Sequence, residues 1–337
     1  GIHMQRRKFI TGSAAGGAVA GGIMGLRGPK EAHANQSNYL MYTDDVIIEK
    51  DAPGQPHKGK VLAVIHEHGD DIPLKCAGLT AKLIKEGYTG YIIKTTNDDT
   101  TGNTPGEGVR GNEIDGENIA KILGVKKVFN LDYRKHQLDG ENEIELRSRF
   151  FFLFRALQVD TVICRDPWGH YEENPDHYST GKSVEAACWM ASNRHDYPEH
   201  LKTGIKPKSV RERYYFARGP QLVNRIVDVS SYVDQIVESN IANQTFGPAG
   251  NNGIRLRDSL KKQNIRLPLL GDDDHTANYQ YIKEFIFDGE RKLGEQHGIE
   301  YAEAYHYIGP GVVGPGPGSD MRQRIEEYTK RHGVKIR

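Results

Sequence analysis

The sequence predicts a Rossmann-like α/β fold, a mostly parallel sheet with helices on both faces. Three observations predict it: short apolar runs of strand length, amphipathic stretches of helix length between them, and polar loops that follow the runs. The first continuous apolar run covers residues 61–65, and a helical pattern follows over 74–86. A second strand is expected at 91–93, then a glycine-rich loop at 101–108 and a helix ending near Leu123. Residues 128–129 mark a third strand, 143–157 a helix, 161–164 a fourth strand and 182–190 another helix. Runs that are apolar without alternation fit strands covered on both faces, as in parallel sheets.

Beyond Asn193 the pattern loosens. Late strands are expected at 214–217 and 225–228, with Ser230 or Ser231 as N-cap of a helix through Val233 and Val237. A loop is expected at 247–253, a helix at 279–297 and turn-rich coil at 309–318. The run Phe150, Phe151, Phe152 and Phe154 reads as core on the third helix.

Ahead of this domain the chain carries an address. Residues 1–4 read as an expression scar. Residues 5–34 read as a twin-arginine signal: Arg6-Arg7-Lys8, a glycine-rich and weakly apolar run, then Ala32-His33-Ala34 as cleavage site. A periplasmic or otherwise extracytoplasmic location is therefore expected. The remaining divisions are an extension at 35–59, one domain over 60–310 and a tail at 311–337. No later segment has the apolar length to span a bilayer. Lys+Arg and Asp+Glu each number 45, so no basic excess points to nucleic acid or an anionic membrane. Cys76, Cys164 and Cys188 are odd in number and widely spaced, which argues for buried thiols over a disulfide framework.

The chemistry sits in two loops. After the first apolar run comes His66-Glu67-His68-Gly69-Asp70-Asp71, where one carboxylate could hold a cation while its neighbour acts as a base. An acidic, solvated loop with an aspartate N-cap would look the same. After the fourth strand, the segment from Asp166 to His177 ends at a helix start on the same edge of the sheet. Together the loops supply two histidines and a carboxylate, as in a catalytic zinc site that keeps one position for water. The glycines near Gly102, Gly106 and Gly108 form no dinucleotide fingerprint, so NAD is not expected. Asp272-Asp273-Asp274-His275 reads as an acidic helix start.

These motifs resemble those of the PIG-L/LmbE-like zinc deacetylases. The family's Ala-His-Pro-Asp-Asp-Glu aligns with Glu67-His68-Gly69-Asp70-Asp71-Ile72, and its His-Pro-Asp-His with Asn174-Pro175-Asp176-His177. Arg110-Gly111-Asn112-Glu113 fits its Arg-x-x-Glu helix before Leu123-Gly124-Val125, and Val227–Ser230 and Tyr301–Ala304 fit late signatures. The resemblance implies an LmbE-like domain with His68, Asp71 and His177 as ligands of zinc or another divalent metal. It makes Asp70 the general base, and Tyr171, with His170 as rival, the donor to the oxyanion. It gives Asp176 the task of orienting a histidine, and places Arg110, His136 and Asn174 near substrate, with Glu113 as a partner for Arg110. His66 is out of step with the motif and reads as a packing residue. The implied reaction removes an N-acetyl group from an amino sugar or a GlcNAc-containing glycoconjugate. Another N-acyl amine, or an inactive carbohydrate-binding relative, are the alternatives. Three departures matter: Gly69 stands for proline, Ile72 for glutamate and Asn174 for a histidine that could move a proton.

Overall fold

Successive strand residues face opposite sides of a sheet, and in the run 61–66 both sides are covered. Leu62 and Val64 pack with Leu79, Leu83, Ile119, Leu123 and Ile236 on one side. Ala63 and Ile65 pack with Phe150, Phe151, Phe154, Val184 and Ala187 on the other. The computed structural model describes residues 40–247, 250–310 and 319–335. The expected signal at 5–34, the scar and the coil at 311–318 lie outside the described residues.

The strands are β1 (Leu40–Glu49), β2 (Val61–His66), β3 (Thr89–Thr96), β4 (Lys127–Tyr133), β5 (Thr161–Arg165), β6 (Glu212–Phe216), β7 (Gln221–Asp228) and β8 (Ala302–Ile308). They form one sheet in the order β1-β7-β8-β6-β5-β2-β3-β4. All neighbours are parallel except β8, which runs antiparallel between β6 and β7. The helices are α1 (Asp71–Lys75), α2 (Ala77–Lys85), α3 (Pro105–Leu123), α4 (Glu143–Leu157), α5 (Pro175–Met190), α6 (Glu199–Lys202), α7 (Val233–Ala242), α8 (Asn252–Lys262), α9 (Asp274–Tyr281), α10 (Asp288–Gln296) and α11 (Ser319–His332). No described helix is long and apolar enough to cross a membrane.

The fold is the mostly parallel α/β arrangement expected, with local differences. Strand β1, from the segment read as an extension, is an edge of the main sheet. Helix α5 begins at Pro175 instead of 182, because the Asn174 side chain accepts from Asp176 N at 3.0 Å and proline fits the first helical turn. Ser230 is no N-cap: Ser230–Tyr232 is a 3₁₀ turn whose hydroxyl binds Asp228 Oδ1 at 2.6 Å, and α7 begins at Val233. The helix expected at 279–297 is divided by a π turn at Ile282–Ile286. Phe150, Phe151 and Phe154 are fully buried as expected, whereas Phe152 is 44% exposed. All three cysteines are buried free thiols.

Candidate metal and catalytic site

Strands β2 and β5 are parallel neighbours, with Leu62 beside Thr161 and Val64 beside Ile163. Their carboxyl ends therefore share one edge, which is where open α/β sheets bind ligands. The loop leaving β2 enters α1 at once, so Asp70 sits at its N-cap and Asp71 in its first turn. The loop leaving β5 reaches α5, where Asp176 and His177 fall in the first turn. Two loops separated by about a hundred residues are thus brought face to face by sheet order.

His68, Asp71 and His177 are buried and converge. His68 Nδ1 lies 3.2 Å from His177 Nε2. Asp71 Oδ2 is 3.7 Å from His68 Nδ1, and Oδ1 is 3.8 Å from His177 Nε2. Ligands about 2.1 Å from a tetrahedral zinc ion stand roughly 3.4 Å apart, so these spacings fit a divalent metal. The outer nitrogens fit as well. His68 Nε2 is 2.8 Å from Asp176 Oδ2, which also accepts from His136 N at 2.7 Å. A carboxylate there holds the proton on Nε2 and leaves the Nδ1 lone pair facing inward. His177 Nδ1 stands 3.1 Å from Glu172 Oε1, too bent for a hydrogen bond but close enough to orient the ring.

The two adjacent aspartates are driven apart electrostatically. Burial would raise the carboxyl of Asp71, but Arg165, then His177 and His68, outweigh it and hold it well below the usual range. Burial, then the charge of Asp71, pushes Asp70 up to about 7. Glu67 is also raised, by burial that Arg165 only partly offsets. Asp71 Oδ2 accepts from His68 N at 2.8 Å and Oδ1 from Arg165 Nη2, which locks the side chain in place.

Two departures from the family pattern acquire reasons here. Gly69 N donates to Asp98 Oδ2 at 3.0 Å, and a Cβ at residue 69 would meet Asn112 Oδ1 at 3.0 Å and Phe246 Cβ at 3.4 Å. Proline would lose that hydrogen bond and press on both neighbours. Ile72 is 1% exposed and belongs to the core that includes Leu79 and Ile236.

A cavity of about 190 Å³ opens over the triad, walled by His68, Asp70, Asp71, Leu74, Lys75, Lys135, His136, Arg165, Asn174, His177, Arg218 and Phe246. A larger cavity of about 640 Å³ between β4 and α4 lacks any such grouping of histidine with carboxylate, so the chemistry argues for the smaller one. Among the expected residues, Tyr171 is 86% exposed and His170 is exposed, and neither forms part of the wall. Arg110 and Glu113 lie exposed on α3 with no ion pair between them. His66 is buried with Nδ1 2.7 Å from His68 O, and burial lowers it to about 4. Asp273 caps α9 through Thr276 N at 2.8 Å, as the acidic helix start implies. Sequence reasoning missed Arg165, Lys75, Lys135, Arg218 and Phe246. Arg165 had a signal, since it is a charged residue closing the apolar strand β5 at the ligand edge. Phe246 had none: it reaches His68 from the loop after α7, stacking at 5.9 Å between ring centroids.

Residues 63–188 match the family model described as PIG-L, GlcNAc-PI de-N-acetylase. The chain is 30% identical to a diacetylchitobiose deacetylase of Thermococcus kodakarensis over 186 residues, which cover 52% of this chain and 66% of that one, just under two thirds of its length. N,N'-diacetylchitobiose deacetylase from Pyrococcus horikoshii shares the fold with a TM-score of 0.59 at 21% identity, covering 78% of this chain and 88% of that one. So does GalB, the 4-carboxy-2-hydroxymuconate hydratase of Pseudomonas putida, with a TM-score of 0.54 at 15% identity, covering 76% of this chain and 99% of that one.

Proposed function

We propose, from the match of residues 63–188 to the PIG-L family model, that this chain is a metal-dependent hydrolase removing N-acetyl groups from an amino sugar or a GlcNAc-containing glycoconjugate. The observation that carries the reading is the convergence of His68, Asp71 and His177 beside an Asp70 whose carboxyl is pushed up to about 7. The similarity to a diacetylchitobiose deacetylase supports the substrate class.

His68, Asp71 and His177 would hold the metal, zinc being the divalent ion this donor set suits. A bound zinc ion supplies Lewis acidity toward the acyl carbonyl and brings the pKa of a coordinated water to about 7. Asp70, on the cavity wall beside the ligand Asp71, is placed both to take a proton from the attacking water and to return it to the leaving amine. That double duty answers the loss of a histidine at Asn174. Asn174 spends Oδ1 on capping α5, which turns its amide nitrogen into a donor on the cavity wall. Lys75, Lys135, His136 and Arg218 bring further donors to that wall, which suits a hydroxyl-rich substrate. Asp176 keeps the proton of His68 away from the inward nitrogen.

The test is acetate release from N-acetylglucosamine and diacetylchitobiose by the zinc-loaded chain, beside Asp70→Asn. Release that collapses in the variant is expected. Sugar binding without release, with zinc bound, would favour the inactive carbohydrate-binding reading that Asn174 motivates, and release of a longer acyl group alone would favour a different N-acylase. The Arg6-Arg7 pattern adds an extracytoplasmic place of work. It is tested by export of the full chain in a twin-arginine-competent host, with Arg6→Lys/Arg7→Lys retained inside.

A further inference from the structure

Arg165 closes β5 and is 1% exposed. Its guanidinium lies on the Phe216 ring, Cζ 4.7 Å from the centroid. Nη2 donates to Asp71 Oδ1 and stands 3.3 Å from His177 Nε2 and 3.4 Å from Glu67 Oε2. The carboxylate and the imidazole lone pair that it faces both belong to the donor set that fits a divalent metal. A lone pair serves one cation at a time. Beside this contact are two orphans: Glu67 Oε1 and Arg165 Nε have no hydrogen-bond partner among the described residues. Glu67 is fully buried, so the omission is costly. A guanidinium and a carboxylate with one atom each to spare are the halves of an unmade bidentate pair.

We infer that Arg165 is a resident cation that competes with the divalent metal for Asp71 and His177, and that metal loading moves its guanidinium wholly onto Glu67. The inference rests on the metal-site part of the proposed function and is independent of the reaction. In the metal-free protein Arg165 stands between two buried acids, against Asp71 Oδ1 and 3.4 Å from Glu67 Oε2. Once Asp71 is engaged elsewhere, Glu67 receives the guanidinium through its spare oxygen, and the flat face of Phe216 lets the group turn without losing its stacking. The arginine therefore keeps metal affinity below what the same three ligands would give alone, and Glu67 sets how far below.

The full chain, stripped of metal, is titrated with Zn2+ against a chromophoric chelator, for the parent, Arg165→Gln, Arg165→Lys, Glu67→Gln and the R165Q/E67Q pair, each checked for folding by circular dichroism. R165Q is expected to bind zinc about tenfold tighter than the parent and E67Q about tenfold weaker, with R165K between parent and R165Q. In the R165Q background E67Q should have a much smaller effect, since no guanidinium is left to rehouse. Affinity lowered or unchanged in R165Q overturns the inference, the arginine then being a prop for Asp71 or a bystander. If R165Q does not fold, an R165K that binds no tighter than the parent overturns it. Zinc bound by none of the proteins removes the inference and the metal site together. The expected order of affinities without acetate release from any sugar would sink the deacetylase reading alone.

Discussion

Two buried charged clusters in this protein differ in how completely they are closed. Around Lys82, which is 1% exposed, the ammonium and every oxygen of its two carboxylate partners are paired, though Arg225 Nε is left without a partner: Nζ sits 2.9 Å from Glu49 Oε1 and 2.9 Å from Glu86 Oε1. Glu49 Oε2 accepts from Tyr214 and Arg225, both at 2.9 Å, and Glu86 Oε1 from Ala52 N at 2.7 Å. Around Asp71 the accounts stay open, with Glu67 Oε1, Arg165 Nε and His177 Nδ1 lacking hydrogen bonds. The first cluster ties β1, α2, β6 and β7 together. The second is a set of donors facing inward with an arginine held among them. The first network serves the fold, whereas the second has the donor set that the proposed divalent cation would use.

Substitutions separate the two clusters. The largest effect is expected at Asp70→Asn, which should cost about 10²- to 10⁴-fold in acetate release while zinc content holds, measured side by side. Lys82→Met should act on the other cluster, lowering stability by about 3–5 kcal/mol in urea denaturation because the buried Glu86 loses its ammonium partner, with zinc affinity unmoved. An unchanged unfolding midpoint would show that the closed cluster is ornamental. Asp176→Asn should weaken zinc binding about 10- to 100-fold, because His68 loses the carboxylate that fixes its tautomer, with urea denaturation of the metal-free protein measuring the separate cost of the lost bonds from His136 N and Leu138 N.

The smallest effect is a pH slope. Glu303 accepts from Gly78 N and Leu79 N, both at 2.9 Å, yet burial raises it to about 7. The folded state thus favours the protonated acid, so its contribution is complete below about 4.5 and is lost as pH rises through 7. Glu303→Gln should flatten the fall in stability between those values, read from urea midpoints at pH 5 and pH 7. An identical slope in parent and variant would assign the fall to other groups.

Much of this architecture was legible in the sequence. Strands β2, β3 and β5 announce themselves as apolar runs because both of their faces are buried, β4 shows only its Val128-Phe129 pair, and helices α2, α3 and α4 show their period between them. Strand β1 was not legible: it is an edge strand, and its Ile47 and Ile48 are 51% and 39% exposed. Helix α5 was read as starting late because its first turn carries Asp176 and His177, whose polarity serves the site and hides the periodicity.

By itself the sequence determined which loops hold the candidate donors, since a strand end followed by histidine and aspartate presents them at the ligand edge of a parallel sheet. It also determined, through family motifs, that His68, Asp71 and His177 belong together as candidates. Only the tertiary structure decided that Asp70 is pushed up while Asp71 is held down, because that depends on burial and on which cation stands beside each. It alone decided that Arg165 and Phe246 join the site and that Tyr171 and His170 stay off the cavity wall. The physical reason is that electrostatics and packing act through space over a few ångströms, between residues that the chain holds far apart.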